Sequence, residues 1–547
     1  MMTTNLQGVA FPKLERFDDL EHCPGATLRH FKDGEALIRR GEPACRIFVV
    51  VSGELLVVDD AVDPPRTIAT LGPGEFTGEV SQLTGAASFV TVIAHGDVDA
   101  YEVTTEGVRA LILRSPELGD QILQAFIARR ELLRSSAGFT GLRVIGSSYS
   151  RDTFRVRDFL TKNQVPFTYL DLERDPEVRT LLASFGVSEG DTPIVAWGRE
   201  VLLRNPSTGE LGDALGVRRP PERKTYDLVV VGAGPAGLAA AVYAASEGLH
   251  TLVLERSGPG GQAGRSMRIE NYLGFPTGVS GAELAERATV QAAKFGADLP
   301  VATTVAGLTF DDGYATARLD SHETITTKCL LIATGADYRR LDAEGLDRFE
   351  SRGVYYAATP LEAPACGGRT AVIVGAGNSA GQAAIFLSAQ VRDVVMVVRG
   401  DSLYKSMSSY LARRIEQTEN VEVLFRTTVQ RLLGDTWLRA VEIRNHDTGE
   451  VRTIATTAIF SFIGVAPRTD WLSQEIEKDA KGFVITGPSL SRLPAWRSGR
   501  QPFLLETSRP GVFAAGDVRA GSIKRVAAAV GEGSTAVHLV HEYLAQM

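Results

Sequence analysis

Along residues 25–105, hydrophobic and polar positions alternate with the two-residue period of half-buried strands. FKDGEALIRRGEPACRIFVVVSGELLVV is the clearest run, with Gly34, Gly41 and Gly53 at turns, and FVTVIAHGDVDAYEV ends it. Short strands at this spacing predict a β-barrel or jelly roll. The period then lengthens. EGVRALILRSPELGDQILQAFIARRELL is helical by spacing, with a break at Pro116. From 141 to 217 the two periods alternate. LRVIGSS, FTYLDLE, TPIVAW and EVLLR read as strands, and RDTFRVRDFLTKN, DPEVRTLLASFG and PSTGELGDALG as helices. Asp175 caps the second of these helices, with Pro176 in its first turn. The order βαβαββα predicts a small α/β domain. RRPPERK, at 218–224, is polar and basic and reads as a linker.

One pattern then occurs twice. VVVGAGPAGLAAAVYAASEGLHTLVLER (229–256) and VIVGAGNSAGQAAIFLSAQVRDVVMVVR (372–399) each run as apolar strand, Gly-rich turn, small-residue helix and apolar strand. Each is a βαβ dinucleotide-binding unit, so two dinucleotides and electron transfer between them are implied. Gly232 and Gly375 make the tight turn. Gly234 and Gly377 let a pyrophosphate approach the backbone, at the positive end of the helix. Gly237 lets the first helix pack close to its strand, and Ala380 replaces it in the second copy. The second strand of the first copy ends in Glu255, an acceptor for a ribose diol. The second copy has Val398 there, followed by Arg399, with Lys405 nearby, a set that favours a 2′-phosphate, although Arg256 follows Glu255 in the same way and Arg399 also reads as a surface arginine at a strand end. The first site therefore suits FAD or NAD and the second NADP.

A chain of 547 residues should hold three or four domains, and 44% hydrophobic with 23% charged residues is ordinary for a soluble globular protein. A net charge of −8 argues against nucleic acid as the main partner. No apolar run reaches the roughly 18 residues of a membrane helix. The start, MMTTNLQGVAFPKLERF, shows no secretory leader pattern. The four cysteines, Cys23, Cys45, Cys329 and Cys366, are scattered without metal-site spacing, which fits the cytoplasm.

Several motifs in order carry a resemblance. They are GAGPAG (232–237), GGQ (260–262), IENYLGFP (269–276), QAAKFGA (291–297), IATGA (332–336), GAGNSA (375–380), GVAPRT (464–469) and AAGDV (514–518). Residues 226–547 resemble the low-molecular-weight thioredoxin reductase family. The resemblance implies an FAD domain in two segments, 226–340 and 465–547, with an NADPH-binding domain at 341–464 between them, in a homodimer. NADH in place of NADPH stays open. Gly232, Gly234, Pro235, Ala236, Gly237 and Glu255 would hold the FAD pyrophosphate and adenosine ribose. Gly261, Gln262 and Asn271 would lie near the flavin, and Thr334 and Gly335 behind the FAD. Gly516 and Asp517 would meet the ribityl or pyrophosphate part, and Val305 also belongs to this cofactor set. Lys524, Arg525 and Val526 replace an Arg-Gln-Ala beside the isoalloxazine. Gly375, Gly377, Asn378, Ser379, Ala380, Arg399, Lys405 and Gly464 would hold the nicotinamide nucleotide.

The departure from the family lies in GVYYAATPLEA. Its redox CxxC and following Asp would fall on Ala357, Pro360 and Leu361, with Glu362 one later. Neither Ala nor Pro can form or resolve a mixed disulfide. Cys366 is the nearest thiol and the one catalytic candidate. The first reading is therefore an NADPH-to-FAD oxidoreductase whose acceptor is open: a quinone, oxygen, another protein's disulfide or a small carrier. The alternatives are disulfide reduction through Cys366 or a partner's thiols, and a ligand-regulated redox sensor.

The first 138 residues resemble a cyclic-nucleotide-binding domain. GEFTGEVSQL (74–83) looks like its phosphate cassette, with Gly78 in it and Glu79 as the ribose acid. The family's phosphate-binding arginine falls near Ser88, so the ligand is a cyclic nucleotide or another small molecule, or the domain is structural. Residues 139–217, followed by a linker at 218–225, resemble a glutaredoxin-like or thioredoxin-like domain. Its active-site turn, Ser147-Ser148-Tyr149-Ser150, has no cysteine, and Thr192-Pro193 matches the family's cis-proline. A structural or docking role follows. His538 and His541 read as surface positions of the last helix. The fold expected is thus a multidomain α/β chain: N-terminal β-barrel, thioredoxin-like α/β domain, then two Rossmann-like FAD and NADPH domains.

Overall fold

A computed structural model describes residues 6–14, 18–61, 64–135, 142–148, 150–175, 177–197, 200–311, 313–350, 352–494, 496 and 499–547. Tyr149, Pro176 and the boundary drawn at 138–139 lie outside the described residues.

The N-terminal region folds as a five-stranded antiparallel sheet. Its two 14-residue strands, Arg46–Asp59 and Thr91–Thr104, pair along their length, flanked by Ala26–Phe31, Ala36–Ile38 and Arg66–Leu71. Phe48, Val50, Leu55, Val92 and Ala94 are buried in its core, as the alternating pattern requires. Helices Thr105–Arg114 and Pro116–Ser135 follow, broken at the proline. Thr104 caps the first by accepting a hydrogen bond from Gly107 N–H.

Next comes a four-stranded sheet in the order Thr168–Asp171, Leu142–Gly146, Ile194–Trp197, Glu200–Arg204. Helices Arg151–Lys162, Glu177–Ser184 and Thr208–Ala214 alternate with its strands, and the Thr192–Pro193 peptide is cis. The polar segment after it is pinned down. Arg219 donates to Thr84 O (3.1 Å) and pairs with Asp298 (2.6 Å), and Glu222 N–H donates to Asp298 (2.7 Å).

The rest of the chain builds two parallel sheets. In the first, Thr225–Val231 lies between Thr251–Leu254 and Thr324–Ile332, and Val512–Ala514 joins the far side of Thr324–Ile332. The register sets Val231 beside both Leu254 and Ile332, and Ile332 beside Ala514, so four strands end at one edge. Strands Val305–Asp311 and Tyr314–Leu319 extend the sheet antiparallel. Its strands are continuously apolar because both faces are covered, one by helices Pro235–Ser246, Gly281–Lys294 and Val526–Leu544, the other by the antiparallel strands and by Leu472, Ile476 and Val484. Helix Val526–Leu544 packs on helix Pro235–Ser246 so closely that a side chain at Gly533 would collide with Ala236 O.

The second sheet, all parallel, runs Val354–Tyr355, Ala458–Ser461, Thr370–Val374, Asp393–Val397, Val421–Leu424. A three-stranded antiparallel sheet, Thr427–Gly434, Leu438–Asn445 and Val451–Ala455, lies beside it. The two chain crossings between these units run side by side: Ala336–Tyr338 pairs antiparallel with Val465–Pro467.

Candidate functional site

Gly232 follows strand Thr225–Val231 with φ +107°, a value that favours glycine, and a Cβ there would lie 2.5 Å from Ala333 O. Gly234 is the N-cap of helix Pro235–Ser246, with Pro235 at its first position. A Cβ on Gly237 would overlap the carbonyl oxygen of Gly232, so only glycine lets this helix start so close to its strand. Gly261 is folded against Gly234: a Cβ on it would lie 3.1 Å from the Gly234 Cα.

The Glu255 carboxylate accepts from Ala233 N–H (2.9 Å), Ser257 N–H (3.0 Å) and Gly258 N–H (3.3 Å). It thus ties the Gly-rich turn to the end of the second strand. The Ser257 hydroxyl also donates to Oε1 (3.4 Å), while Oε2 has the single donor Ala233 N–H, so Oε2 can still accept from a ribose hydroxyl.

Because the strands end together, Gly232, Thr334, Gly335, Gly516 and Asp517 all fall at the same sheet edge. Thr334 Oγ1 donates to Arg468 O (2.9 Å), and a Cβ on Gly335 would meet nothing within 4 Å. Gln262 Nε2 donates to Ala336 O. Gly516 N–H donates to Glu532 (2.7 Å), and Lys524 Nζ donates to Asp517 O (2.6 Å). Burial pushes the Asp517 carboxyl up, against the pull of Lys524. Arg525 caps helix Val526–Leu544. Asn271 is exposed near the 263–265 turn. Val305 is buried in the same core as Val229 and Val231, and its strand pairing sets it toward the end of the sheet opposite that edge. An edge with a glycine cradle, a helix N-terminus and an anchored carboxylate fits FAD.

The second copy repeats the backbone device. Gly375 has φ +134°, and a Cβ there would lie 2.5 Å from Phe462 O. Gly377 caps helix Asn378–Ser388, and a Cβ on it would meet nothing within 4 Å, so the space above the helix is open. Asn378 Oδ1 accepts from Ser408 N–H (2.8 Å), and Ala380 is fully buried. Val398 is buried where the first copy has its glutamate. Arg399 is exposed and has no hydrogen-bond or ion-pair partner among the described residues. Lys405 instead pairs with Asp401 (2.6 Å). Gly464 accepts from Arg339 N–H (2.9 Å) at the chain crossing. These groups fit a 2′-phosphorylated nucleotide through Arg399.

Two further groups join the sites: Tyr338 lies outside the motifs, and Arg468 lies in GVAPRT, which did not disclose its partner. Tyr338 OH donates to Ser379 Oγ (3.2 Å), and its ring meets Phe462 edge-on at 5.4 Å. Arg468 forms a two-pronged pair with Asp337. Both lie on the paired crossings.

The stretch where the family keeps its thiols is buried at one of the two positions and exposed at the other, Pro360. Ala357 is 6% exposed. Glu362 is buried, accepts from Thr359 N–H (2.8 Å) and from the Thr359 hydroxyl, and is pushed up by burial. Cys366 is wholly buried among Tyr355, Ala371 and Phe460, and burial pushes its thiol up to about 12. All four cysteines are free. A cavity of 430 Å³ adjoins this stretch, walled by Pro360, Leu361, Arg265, Met267, Lys162 and Arg130. It gathers all four regions of the chain. Asp158 there is bound by Lys162 (2.6 Å) and Arg265 (3.0 Å), which outweigh burial and hold its carboxyl low.

In the N-terminal region Glu79 is engaged. Its carboxylate takes Arg130 Nε (2.6 Å), and Arg130 also bonds Ser81 Oγ (2.9 Å) and Gln164 O (3.1 Å). Gly78 O accepts from Arg129 (2.7 Å), and Ser88 Oγ donates to Val90 O (2.8 Å). On the last helix His538 pairs with Glu542 (3.2 Å), and His541 pairs with Glu247 at the end of helix Pro235–Ser246 (2.9 Å).

Residues 226–533 match the pyridine nucleotide-disulphide oxidoreductase family, and residues 28–115 match the cyclic nucleotide-binding domain. A thioredoxin reductase of Treponema pallidum is 34% identical over 58% of this chain and 97% of its own length. The 34.2 kDa protein in the rubredoxin operon of Clostridium pasteurianum is 30% identical over 59% of this chain and 98% of its own. Among solved structures, Lactococcus lactis thioredoxin reductase in its FR conformation superposes with a TM-score of 0.53 at 29% identity. It covers 59% of this chain and all of that one.

Proposed function

The chain belongs to the pyridine nucleotide-disulphide oxidoreductase family, and from that premise we propose that it passes electrons from NADPH through FAD to an acceptor outside the chain, without a thiol pair of its own. It is an FAD- and NAD(P)H-dependent oxidoreductase. The absence of cysteine at 357 and 360, where a buried alanine and an exposed proline stand instead, carries the proposal.

When bound, FAD supplies the two-electron carrier that side chains lack. The chain binds and orients it. The N-terminus of helix Pro235–Ser246 faces the pyrophosphate, and Glu255 fixes both the turn and the ribose. Arg399 selects the phosphorylated nucleotide. The paired crossings serve as the hinge for rotation of the 341–464 unit, with Asp337–Arg468 and Tyr338–Ser379 as its latch.

The 142–214 region acts as a buttress in this reading. Asp158 grips Arg265, Asn163 Nδ2 donates to Ser257 O (2.7 Å), and Arg174 donates to Pro364 O (3.1 Å). A glutaredoxin-like ancestry suits its element order, while Ser147 and Ser148 leave it without redox chemistry. The active unit is a homodimer by family likeness, and no described helix is long and apolar enough to cross a membrane.

Rapid anaerobic mixing with NADPH tests the proposal: the flavin absorbance should bleach, and oxidation by quinones, oxygen and disulfides then ranks the acceptors. Flavin that stays oxidised overturns it. The burial of Cys366 disfavours the internal-thiol route, so Cys366→Ser should leave every acceptor rate unchanged.

A further inference from the structure

We infer that the N-terminal sheet domain holds a site for a small organic acid, an apolar body whose carboxylate is taken by Arg129 and whose hydroxyl is taken by Asp59. A cavity of 280 Å³ lies between the sheet and helix Pro116–Ser135. An apolar cavity of about 150 Å³ holds one benzene ring, so this one accommodates a substituted ring. Its walls are largely apolar, from Ile38, Val57, Leu71, Val92 and Leu132.

Four charged side chains line it, Asp59, Arg66, Glu79 and Arg129, and of these Arg129 and Asp59 are buried and incompletely bonded. Arg129 is 8% exposed, and its guanidinium lies over the rings of Phe11 (5.2 Å) and Phe76 (4.5 Å). Its Nε donates to Ala10 O (2.6 Å) and its Nη1 to Gly78 O (2.7 Å), while Nη2 has no partner. Asp59 is 2% exposed; Oδ1 accepts from Ala61 N–H (3.1 Å), and Oδ2 has no partner. Burying an unsatisfied charged atom costs more than burying a neutral one. Burial pulls the Arg129 guanidinium down to about 10, so it stays charged at neutral pH. A carboxylate satisfies Nη2 with a charge-assisted bond, and a hydroxyl donor satisfies Oδ2.

Four other polar groups around the cavity are turned to the protein. Thr77 Oγ1 accepts from Phe48 N–H (2.8 Å), and Gln82 Oε1 from Glu79 N–H (2.5 Å). Glu79 holds Arg130, and Ser88 bonds its own strand. A cyclic nucleotide would find neither a free ribose acid nor a cassette guanidinium, whereas a ring acid needs only Arg129 and Asp59.

Calorimetric titration of the full-length, FAD-loaded protein tests this with 4-hydroxyphenylacetate, phenylacetate, cyclic AMP and inorganic phosphate. Both ring acids should bind one per chain with a dissociation constant of about 1 mM or tighter. Arg129→Met should weaken both about tenfold or more. Asp59→Asn should weaken the hydroxylated acid and spare phenylacetate. Since Arg129 also anchors Ala10 and Gly78, Ala69→Phe serves as a second variant: it fills the cavity from a half-buried strand position and should abolish binding. Binding of neither acid at about 10 mM overturns the inference. So does acid binding that survives Ala69→Phe, or cyclic AMP binding tighter than either acid.

Discussion

The two Gly-rich units share a backbone and differ in what they do with charge. In the first, the carboxylate at the end of the second strand is buried and holds three backbone N–H groups of its own turn. In the second, that position is a buried valine, and the arginine that follows, Arg399, is exposed with no partner among the described residues, whereas its counterpart Arg256 pairs with Asp337 (3.9 Å). One site is braced from within before any nucleotide arrives. The other leaves its selective group to the ligand. The difference suits a cofactor that stays and a substrate that comes and goes, since preorganised groups favour tight retention and an unpaired surface arginine makes a bond that readily exchanges.

Gly237 and Ala380 break the equivalence most sharply. The same position takes glycine in one copy and alanine in the other because the first helix starts in contact with Gly232 O, while Ala380 is simply buried. Gly237→Ala should therefore force the helix off its strand, costing about 3 kcal/mol or more, and the purified protein should lack flavin absorbance. Ala380→Gly should cost only about 1 kcal/mol from backbone entropy and keep normal flavin bleaching by NADPH. Thermal unfolding and the flavin-to-protein absorbance ratio read both. Equal losses in the two variants would mean that the copies are packed alike.

Glu255→Gln comes next in size. The amide keeps its shape and loses the charge that attracts three N–H groups, each such bond to a charged group being worth about 1.5–3 kcal/mol. FAD affinity should fall about 10- to 100-fold, measured by equilibrium dialysis of the apo-protein, with the NADPH KM unchanged once FAD is saturating. A change confined to the NADPH KM would reverse the assignment of the two sites.

How much of this could be read in the sequence depends on whether a residue acts through the backbone or through distant side chains. Gly232, Gly234, Gly375 and Gly377 were legible because each turn demands a residue without a side chain, wherever it lies in the chain. The alternating strands and the break at Pro116 were legible for the same local reason. The capture of Glu79 by Arg130, 51 residues away, was not. The ribose acid expected from GEFTGEVSQL is consequently tied up by a helix that its own motif does not mention. Nor could spacing disclose Tyr338 meeting Ser379, or Asp158 gripping Arg265 from 107 residues away. The segment at 218–225 looked like a linker because it is basic and carries proline. Its charges are used instead, through Asp298 and Thr84, to fasten the N-terminal region to the first nucleotide unit.

The finest test of the comparison lies among the basic residues of the second copy. Arg399 is free and Lys405 is not, although sequence alone gives them the same task. Arg399→Met should raise the KM for NADPH about tenfold, the equivalent of about 1.4 kcal/mol, and leave the KM for NADH nearly unchanged, because NADH has no 2′-phosphate to lose. Lys405→Met should move the NADPH KM by less than about threefold, since its ammonium is already paired with Asp401 on an exposed surface, where such pairs contribute about 1 kcal/mol or less. The ratio of NADPH to NADH KM in the two variants is the measurement. If Lys405→Met shifted that ratio more than Arg399→Met, the Asp401 pair would have to open on binding, and the unpaired guanidinium would lose its place as the selective group.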